Sequence, residues 1–163
     1  MDKKELREKL KKIREKVLDK DYKSKEICSR VLELLKKQLT KKSVIFVYES
    51  MNSEVDTSDL IRALQNECVI AIPKVCENWH MVAIDIKTKK QLAKVTVAIV
   101  PLLGFNKDKH RIGYGKACYD NFFKENENVL KIGIAFSEQF CNFSQESHDI
   151  ALDYIVTEKE IYS

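Results

Sequence analysis

Residues 101–120 concentrate the side chains and backbone types that hold phosphate groups. Three of the chain's four glycines and four of its cations lie here: Gly104, Gly113, Gly115, Lys107, Lys109, Arg111 and Lys116. Glycine lets a backbone turn tightly and approach a ligand closely. Backbone N–H groups at a helix start, with Lys or Arg beside them, form a phosphate site. The stretch therefore predicts a loop that binds the phosphates of a nucleotide.

The stretch matches neither of the two common glycine-rich nucleotide motifs. In a Walker A loop, Gly115-Lys116 would supply the G-K pair, but His110 occupies the first glycine position and Ala117 follows the lysine. In G-x-G-x-x-G, Cys118 occupies the third glycine position. The local sequence therefore leaves open an ordinary glycine-rich turn with solvated cations.

Length and composition indicate one globular domain over residues 1–163, with 44% hydrophobic and 33% charged residues. No apolar run approaches the roughly 20 residues of a transmembrane helix, and the charged N-terminus does not resemble a signal peptide. We therefore expect no membrane partner. The five cysteines contain no C-x-x-C pair, which favours free thiols in the cytoplasm.

The positive charge is concentrated near the N-terminus. Residues 1–42 carry 16 Lys and Arg against 8 Asp and Glu, whereas the remainder carries 13 against 17. Such a segment is either a solvated helix face or a site for a polyanion. A nucleic-acid module would interleave aromatic side chains with these cations, but Tyr22 is the only aromatic residue of the segment. We therefore expect no nucleic-acid partner.

Hydrophobic periodicity predicts helices alternating with strands. The expected helices cover residues 3–18, 22–39, 58–66 and 116–126, and the expected strands cover 43–48, 68–72, 80–86, 95–100, 131–136 and 152–157, with a weaker strand near 89–92. We expect Thr57 or Ser58 to cap the third helix and Pro73 to end the second strand. This order predicts a three-layer, Rossmann-like α/β fold, with a mostly parallel sheet and helices on both faces. Ligands of such sheets bind beyond the carboxyl ends of the strands.

Four segments, in order along the chain, together carry a resemblance to a known family. They are Lys3–Arg7, Glu54–Thr57, Arg111–Asp120 and His148–Asp153, the last leading into residues 155–158. The third segment is similar to the pattern R-[LIV]-G-x-G-x-G-x-Y-D. In this combination the chain resembles the 5-formyltetrahydrofolate cyclo-ligases, also called methenyltetrahydrofolate synthetases.

Two positions of the third segment depart from that pattern. Ala117 stands where the family usually has glycine, and Cys118 where it usually has an aromatic residue. Alanine costs nothing if the backbone at this position is helical, but a left-handed backbone would impair nucleotide affinity or geometry. The departures also keep open an inactive relative that only binds folate.

The resemblance implies an ATP- and Mg²⁺-dependent enzyme that converts 5-formyltetrahydrofolate to 5,10-methenyltetrahydrofolate, ADP and phosphate. The formyl oxygen would attack the γ-phosphate to give an N5-iminium phosphate. The N10 amine would then attack the activated carbon, and phosphate would leave. The partners are therefore the two substrates, and we expect a monomer.

The resemblance also implies ligands for ATP. They are Lys3, Lys4, Arg7, Arg111, Ile112, Gly113, Tyr114, Gly115, Lys116, Ala117 and Tyr119. Lys116 and Arg111 would act on the transferring phosphoryl group. Lys3 and Arg7 are four residues apart on one helical face, and their alternative is a solvated charged face.

The resemblance further implies a metal site and a folate site. Asp120 and Asp153 would bind Mg²⁺, or would instead be a helix-terminal charge and a strand-end acceptor. Glu54 would accept from the paired N–H donors of the pterin, or would be a helix-entry carboxylate. Side chains for the flat folate rings, each also a candidate core residue, are Tyr48, Met51, Trp79, Met81 and Tyr114. We expect His148 and Asp149 to order their loop.

Overall fold

A computed structural model of the protein describes residues 1–147 and 149–163. In these residues the helices are α1 Lys3–Glu15, α2 Lys20–Leu35, α3 Ser58–Leu64 and α4 Cys118–Glu125. The strands are β1 Val44–Val47, β2 Val69–Val75, β3 Met81–Asp85, β4 Gln91–Leu92, β5 Val97–Val100, β6 Gly104–Phe105, β7 Arg111–Ile112, β8 Leu130–Ile134, β9 Tyr154–Val156 and β10 Ile161–Tyr162. No helix in this described part of the chain is long and apolar enough to cross a membrane.

One sheet of eight strands, in the order β10-β9-β8-β5-β1-β2-β3-β4, forms the centre of the fold. The five strands from β9 to β2 are parallel to their neighbours, and the outer strands β10, β3 and β4 pair antiparallel. The short strands β6 and β7 form a separate hairpin. The predicted mostly parallel sheet is confirmed, and its carboxyl ends face one side of the molecule.

Alternating side chains of the central strands bury both faces of the sheet, as expected for parallel strands. Ile45 and Ile99 belong to a cluster with residues of α2 and α3. Phe46 lies on the opposite face and stacks on Phe122 of α4, with the ring centroids 4.5 Å apart. The predicted helices on both faces are therefore confirmed, and the fold has three layers.

Helix α1 packs on the β6–β7 hairpin. Leu10 is 1% exposed and contacts Leu103 and Ile112 in a small separate core. A Cβ atom at Gly104 would lie 2.6 Å from Leu10 Cδ1, so a larger residue there would require Leu10 to move. The packing brings the N-terminal helix beside the glycine-rich stretch, although about 100 residues separate them in sequence.

The expectation that Pro73 ends the second strand is wrong, because Pro73 lies inside β2. The carbonyl of Ile70 accepts from the N–H of Ile86 in the antiparallel pair with β3. The backbone groups of even-numbered residues of β2 therefore face β3, and the backbone nitrogen of Pro73 faces β1. Pairing with β1 ends at Ala71. Since the ladder on that side needs no donor at Pro73, the missing N–H is tolerated.

The cap of α3 also differs from expectation. Thr57 precedes the helix, but its hydroxyl donates to the carbonyl of Tyr48 at 2.7 Å. The N–H of Ser58 is instead accepted by Asp56 Oδ1 at 2.9 Å. These bonds tie the segment after β1 to the helix. The hydrogen bonds that Ser58 donates to Asp56 lower the pKa of that carboxyl below its ordinary value.

Three short strands, β6, β7 and β10, were not predicted from the sequence. The β6–β7 hairpin lies in the stretch read as a loop, and β10 follows the last expected strand. Each of these strands has two residues, which is too few to show a period of two.

Candidate active site

A cavity of about 640 Å³ opens at the carboxyl ends of the parallel strands. It lies between the segment after β1, the end of β2, the residue after β5, the start of α1 and residues 111–120, which we call the glycine loop. Of the predicted site residues, those that line it are Lys3, Arg7, Tyr48, Met51, Glu54, Arg111, Ile112, Gly113, Tyr114, Gly115, Lys116, Ala117, Tyr119 and Asp120. The N-terminal helix and segments from later parts of the chain therefore meet at the carboxyl ends of the strands, where α/β sheets bind ligands.

The glycine loop closes against helix α1 through Arg7. Arg7 Nε donates to the carbonyl of Gly113 at 3.0 Å. Gly115 has a φ of +91°, and a Cβ atom there would lie 3.2 Å from the Arg7 guanidinium carbon. The absence of a side chain at Gly115 thus leaves room for a guanidinium to approach the backbone, as a phosphate site requires.

Ala117 has a φ of +57° and a ψ of +20°, which is the left-handed region. Of the two conformations considered from sequence, the backbone adopts the one that is unfavourable for alanine. It directly precedes α4, so this single residue sets the angle at which the glycine loop enters the helix.

Arg111 is partly buried at the base of the loop. Its Nη1 donates to the carbonyl of Pro101 at 3.2 Å, and its guanidinium lies 5.1 Å from the ring centroid of Tyr119. Burial lowers its pKa, and the negative charge of Asp120 acts in the opposite direction. A guanidinium keeps its charge under such conditions, so Arg111 is a fixed cation in the wall of the cavity.

Lys116 is exposed at the tip of the loop, with its ammonium 4.7 Å from the centroid of the Trp79 ring. Trp79 itself is 50% exposed and is not among the described residues that line the cavity. The structure therefore puts Trp79 against the glycine loop, not among the flat apolar residues of the pocket.

The two N-terminal lysines differ in their surroundings. Lys3 lies 3.1 Å from Glu146 and 3.8 Å from Asp149. Lys4 is exposed and does not belong to the described cavity lining. Lys3 thus stands with Arg7 at the mouth, as expected, whereas the geometry does not bring Lys4 to it.

Glu54 lines the same cavity as the cations and is firmly held. Its Oε1 accepts from the N–H of Met51 at 2.8 Å, and its Oε2 accepts from the hydroxyl of Tyr114 at 2.9 Å. Arg14 Nη1 donates to that same hydroxyl at 2.8 Å. Burial, and secondarily the charge of Glu54, raises the pKa of Tyr114 to about 12, so the phenol remains a donor at neutral pH.

An apolar wall lies beside Glu54. It comprises Ile72, Pro73, Val75, Met81 and Pro101, together with Tyr48 and Met51. Tyr48 is 5% exposed and donates its hydroxyl to the carbonyl of Val55 at 3.0 Å, whereas Met51 is 66% exposed. A rigid phenol and a flexible thioether on one wall suit a flat ring.

The two predicted metal ligands lie in different places. Asp120 lines the cavity, whereas Asp153 precedes β9 at the amino ends of the strands. Asp153 Oδ2 accepts from the N–H of Lys131 at 2.8 Å and lies 3.8 Å from its ammonium. One ion shared by both carboxylates does not fit this geometry, and Asp153 instead occupies the strand-end position considered as its alternative.

No set of three or more His, Cys, Asp or Glu side chains within residues 1–147 and 149–163 could hold a metal ion by itself. This is compatible with Mg²⁺ held by substrate phosphates and one carboxylate. Asp149 Oδ2 accepts from the N–H of Glu146 at 2.8 Å, in keeping with a role in ordering its loop. The prediction for His148 lies outside the described residues.

Sequence reasoning missed Arg14, Glu146 and the lining role of Asp149. A signal for Arg14 was present, because it lies four residues after Leu10 and thus falls on the apolar side of α1. A charged side chain on a buried helix stripe points to a specific partner. Glu146 carries no comparable local signal.

Comparison with known proteins agrees with these features. A sequence profile described as the 5-formyltetrahydrofolate cyclo-ligase family matches residues 1–158. A 5-formyltetrahydrofolate cyclo-ligase of Mycoplasma pneumoniae is 32% identical over 119 residues, covering 71% of this chain and 73% of the relative. One from Mus musculus is 26% identical over 134 residues, covering 77% and 66%.

Solved structures give the same result. The 5,10-methenyltetrahydrofolate synthetase of Mycoplasma pneumoniae superimposes with a TM-score of 0.87 at 28% identity, covering 97% of this chain and 99% of that one. The synthetase of Aquifex aeolicus gives 0.83 at 26% identity, covering 99% and 92%. The chain belongs to the 5-formyltetrahydrofolate cyclo-ligase family.

Proposed function

We propose that the protein catalyses the ATP-dependent cyclisation of 5-formyltetrahydrofolate to 5,10-methenyltetrahydrofolate, with release of ADP and phosphate. The observation that carries this proposal is that two unlike, adjoining sets of residues line one cavity. Arg7, Arg111, Lys116 and the glycine loop are the first set, which we call the cationic half, and Glu54 with the apolar wall is the second. The relatives described above are named for this chemistry.

The cationic half suits a triphosphate. The two glycines let guanidinium groups approach the loop, because a Cβ atom would lie 2.5 Å from Arg111 Nη1 at Gly113 and 3.2 Å from the Arg7 guanidinium carbon at Gly115. Lys3 lines the cavity beside Arg7. Phosphoryl transfer needs mainly positioning and charge neutralisation. We assign the fixed charge to Arg111 and the adaptable charge to Lys116, because the first is hydrogen-bonded in the wall and the second is exposed.

The other half suits a pterin. Each oxygen of Glu54 accepts one bond within the protein and retains a second acceptor site. The pterin 2-amino group and N3–H form a paired donor edge that a carboxylate can accept. The wall of Tyr48, Met51 and their neighbours would pack on the flat rings.

The reaction follows from the order of bond changes. The formyl oxygen attacks the γ-phosphorus while the bond from that phosphorus to the β–γ bridging oxygen breaks, and ADP leaves with the electron pair. This gives an N5-iminium phosphate, in which the formyl oxygen is a good leaving group. The N10 amine then bonds to the formyl carbon, its proton passes to solvent, and the C–O bond breaks to release phosphate. Lys116 and Arg111 would stabilise charge on the transferring group.

Asp120 is the residue that would hold Mg²⁺, because its carboxylate lines the cationic half of the cavity. When bound, Mg²⁺ supplies charge neutralisation to the phosphates and needs few protein carboxylates. The negative charge of Asp120 also favours the charged form of the buried Arg111 guanidinium.

We further propose that the protein acts as a monomer in the cytoplasm. Each of its five cysteines is a free thiol, which is typical of a reducing compartment. Light scattering coupled to gel filtration tests the first statement, and a mass of twice 19.0 kDa would contradict it.

Single-turnover and steady-state assays with ATP, Mg²⁺ and 5-formyltetrahydrofolate test the activity. We expect 5,10-methenyltetrahydrofolate, ADP and phosphate in equal amounts, with no ADP formed when folate is omitted. Folate binding without turnover would instead identify an inactive relative, which is the alternative that Ala117 and Cys118 left open in the sequence. The absence of both binding and turnover would reject the assignment to folate.

A further inference from the structure

The side chain of Arg14 is a buried charge that none of the roles above uses. It is 5% exposed. Its Nε donates to Ser53 Oγ at 2.9 Å, and its Nη1 donates to the carbonyl of Leu102 at 3.2 Å and to the hydroxyl of Tyr114 at 2.8 Å. These three acceptors lie after β1, after β5 and in the glycine loop. One guanidinium therefore joins three of the segments that surround the cavity.

The direction of the hydrogen bonds through Tyr114 is determined by Arg14. A guanidinium only donates, so the hydroxyl must accept from Arg14 and direct its own proton to Glu54 Oε2, 2.9 Å away. The N–H of Met51 holds the other carboxylate oxygen. With both oxygens engaged, the carboxylate plane of Glu54 is fixed before any ligand enters.

The arrangement also balances charge. A buried cation is costly unless it is paired and hydrogen-bonded. Here the positive end is Arg14, the negative end is Glu54, and the phenol of Tyr114 lies between them, with its ring 5.6 Å from the guanidinium carbon. Such hydrogen-bonded chains polarise one another, so removal of one member affects the others.

We propose that Arg14 is a positioning residue that orients Glu54 through Tyr114 and thereby aligns the folate-binding half of the cavity with the glycine loop. The inference rests on the proposed function, since it assigns to Glu54 the recognition of folate. Arg14 touches neither substrate in this assignment. It acts by keeping the hydroxyl proton of Tyr114 directed at the carboxylate of Glu54 and the Ser53 segment at a fixed distance from the loop.

The substitutions Arg14→Lys and Tyr114→Phe test the relay from its two ends. Lysine retains the charge but replaces a planar fork by a single ammonium, which cannot serve three separated acceptors in the same way. Phenylalanine removes the hydroxyl alone, at a position that is 43% exposed. Arg14→Met removes the charge, and Lys12→Met is the matched control for loss of a cation from the exposed side of α1.

We expect Arg14→Lys and Tyr114→Phe each to raise the KM for 5-formyltetrahydrofolate about 10-fold, while the KM for ATP changes less than about threefold. The double variant should be no more than about twofold worse than either single variant, because both changes break the same chain. Lys12→Met should leave both constants unchanged. Thermal unfolding, measured in parallel, establishes that each variant is folded at the assay temperature.

Two results would overturn the inference. The first is an Arg14→Lys variant that melts at a lower temperature yet keeps its folate KM within twofold of wild type, which would reduce Arg14 to a structural role. The second is a double variant whose KM rises by the product of the single effects, about 100-fold, which would make the two residues independent. A wild-type chain that converts no folate would fail the proposed function itself, and that outcome is recognised before any variant is measured.

Discussion

Lys116 and Glu54 both line the cavity, and each has a matched exposed residue elsewhere that serves as a control. Their surroundings differ in kind. The ammonium of Lys116 lies over the ring of Trp79, whereas the carboxylate of Glu54 accepts hydrogen bonds from two donors. Removal of Lys116 should therefore affect the rate, and alteration of Glu54 should affect binding.

Lys116→Ala should lower kcat about 100- to 1,000-fold, the range typical for removal of a group that stabilises charge in the transition state. The fold should be unaffected, because the side chain is exposed. Steady-state kinetics of the variant beside Lys124→Ala, an exposed lysine of α4 outside the described lining, would measure this. A kcat within about threefold of wild type would remove Lys116 from the mechanism.

Glu54→Gln should raise the KM for 5-formyltetrahydrofolate roughly 5- to 150-fold, corresponding to about 1–3 kcal/mol, with little change in the KM for ATP. The N–H of Met51 and the hydroxyl of Tyr114 already point at the two oxygens. The amide NH₂ must therefore face a donor, whichever way it is turned. Kinetics with each substrate varied in turn, with Glu127→Gln as control, test this; equal rises in both constants would contradict a folate-specific role.

At the scale of elements, the junction between the glycine loop and α4 carries strain at Ala117. The left-handed φ of +57° belongs to the folded backbone itself, so we expect its cost to reduce folding stability and not to weaken binding. Ala117→Gly should thus stabilise the protein by about 0.5–1 kcal/mol, or roughly 2 °C in Tm, after the greater freedom of glycine in the unfolded chain is counted. The KM for ATP should stay within about twofold.

Calorimetry and kinetics on Ala117→Gly would check both statements. Lys89→Gly is the matched control, because Lys89 has a φ of +65° in a turn distant from the cavity. A lower KM for ATP with an unchanged Tm would contradict the expectation, since it would mean that the strain arises only when nucleotide binds.

The start of α3 gives a second test at this scale. Asp56→Ala removes the acceptor of the Ser58 N–H and should destabilise the protein by about 1 kcal/mol at neutral pH. The pKa of Asp56 is lowered in the folded chain. Its contribution is therefore present above the unfolded value and is lost as the pH falls through the folded value.

Denaturant unfolding at several pH values would show this for Asp56→Ala. The difference in unfolding free energy from wild type should shrink below a pH of about 3.8, the ordinary value for this carboxyl. Asp59→Ala, which breaks an exposed ion pair with Arg62 in the same helix, should have a smaller effect. A difference that stays constant down to acid pH would exclude Asp56 as the charged cap.

At the scale of the whole molecule, the proposed nucleotide site is formed by residues from distant parts of the chain. A non-hydrolysable ATP analogue with Mg²⁺ at about 100 times its Kd should stabilise the fold by about 2.7 kcal/mol, or roughly 5–10 °C in Tm. Arg7→Ala should reduce that shift, since Arg7 meets the glycine loop. Lys4→Ala should not, because Lys4 is exposed and outside the described lining.

Differential scanning fluorimetry with and without nucleotide measures the shift separately from each variant's own Tm. An equal loss of the shift in Lys4→Ala and Arg7→Ala would restore Lys4 as an ATP ligand. An undiminished shift in Arg7→Ala would remove Arg7 from the site.

The sequence by itself determined what depends on near neighbours. The strand around Ile45 and Phe46 and the amphipathic α1 follow from periodicity, because burial of alternate or helically spaced side chains is a local pattern. The glycine loop could be located from composition alone, and the type of fold follows from the order of elements. The resemblance to the family could also be read from short motifs.

Only the tertiary structure decided which of these residues meet. Pro73 is tolerated within β2 because pairing with β1 ends at Ala71, a matter of register. Asp153 lies at the amino ends of the strands, whereas Asp120 lines the cavity at their carboxyl ends. Arg14 lies beside Tyr114, although 100 positions separate them in sequence. Such contacts depend on how strands and helices pack over long sequence distances, and no local pattern of residues encodes the direction in which a buried side chain finds its partner.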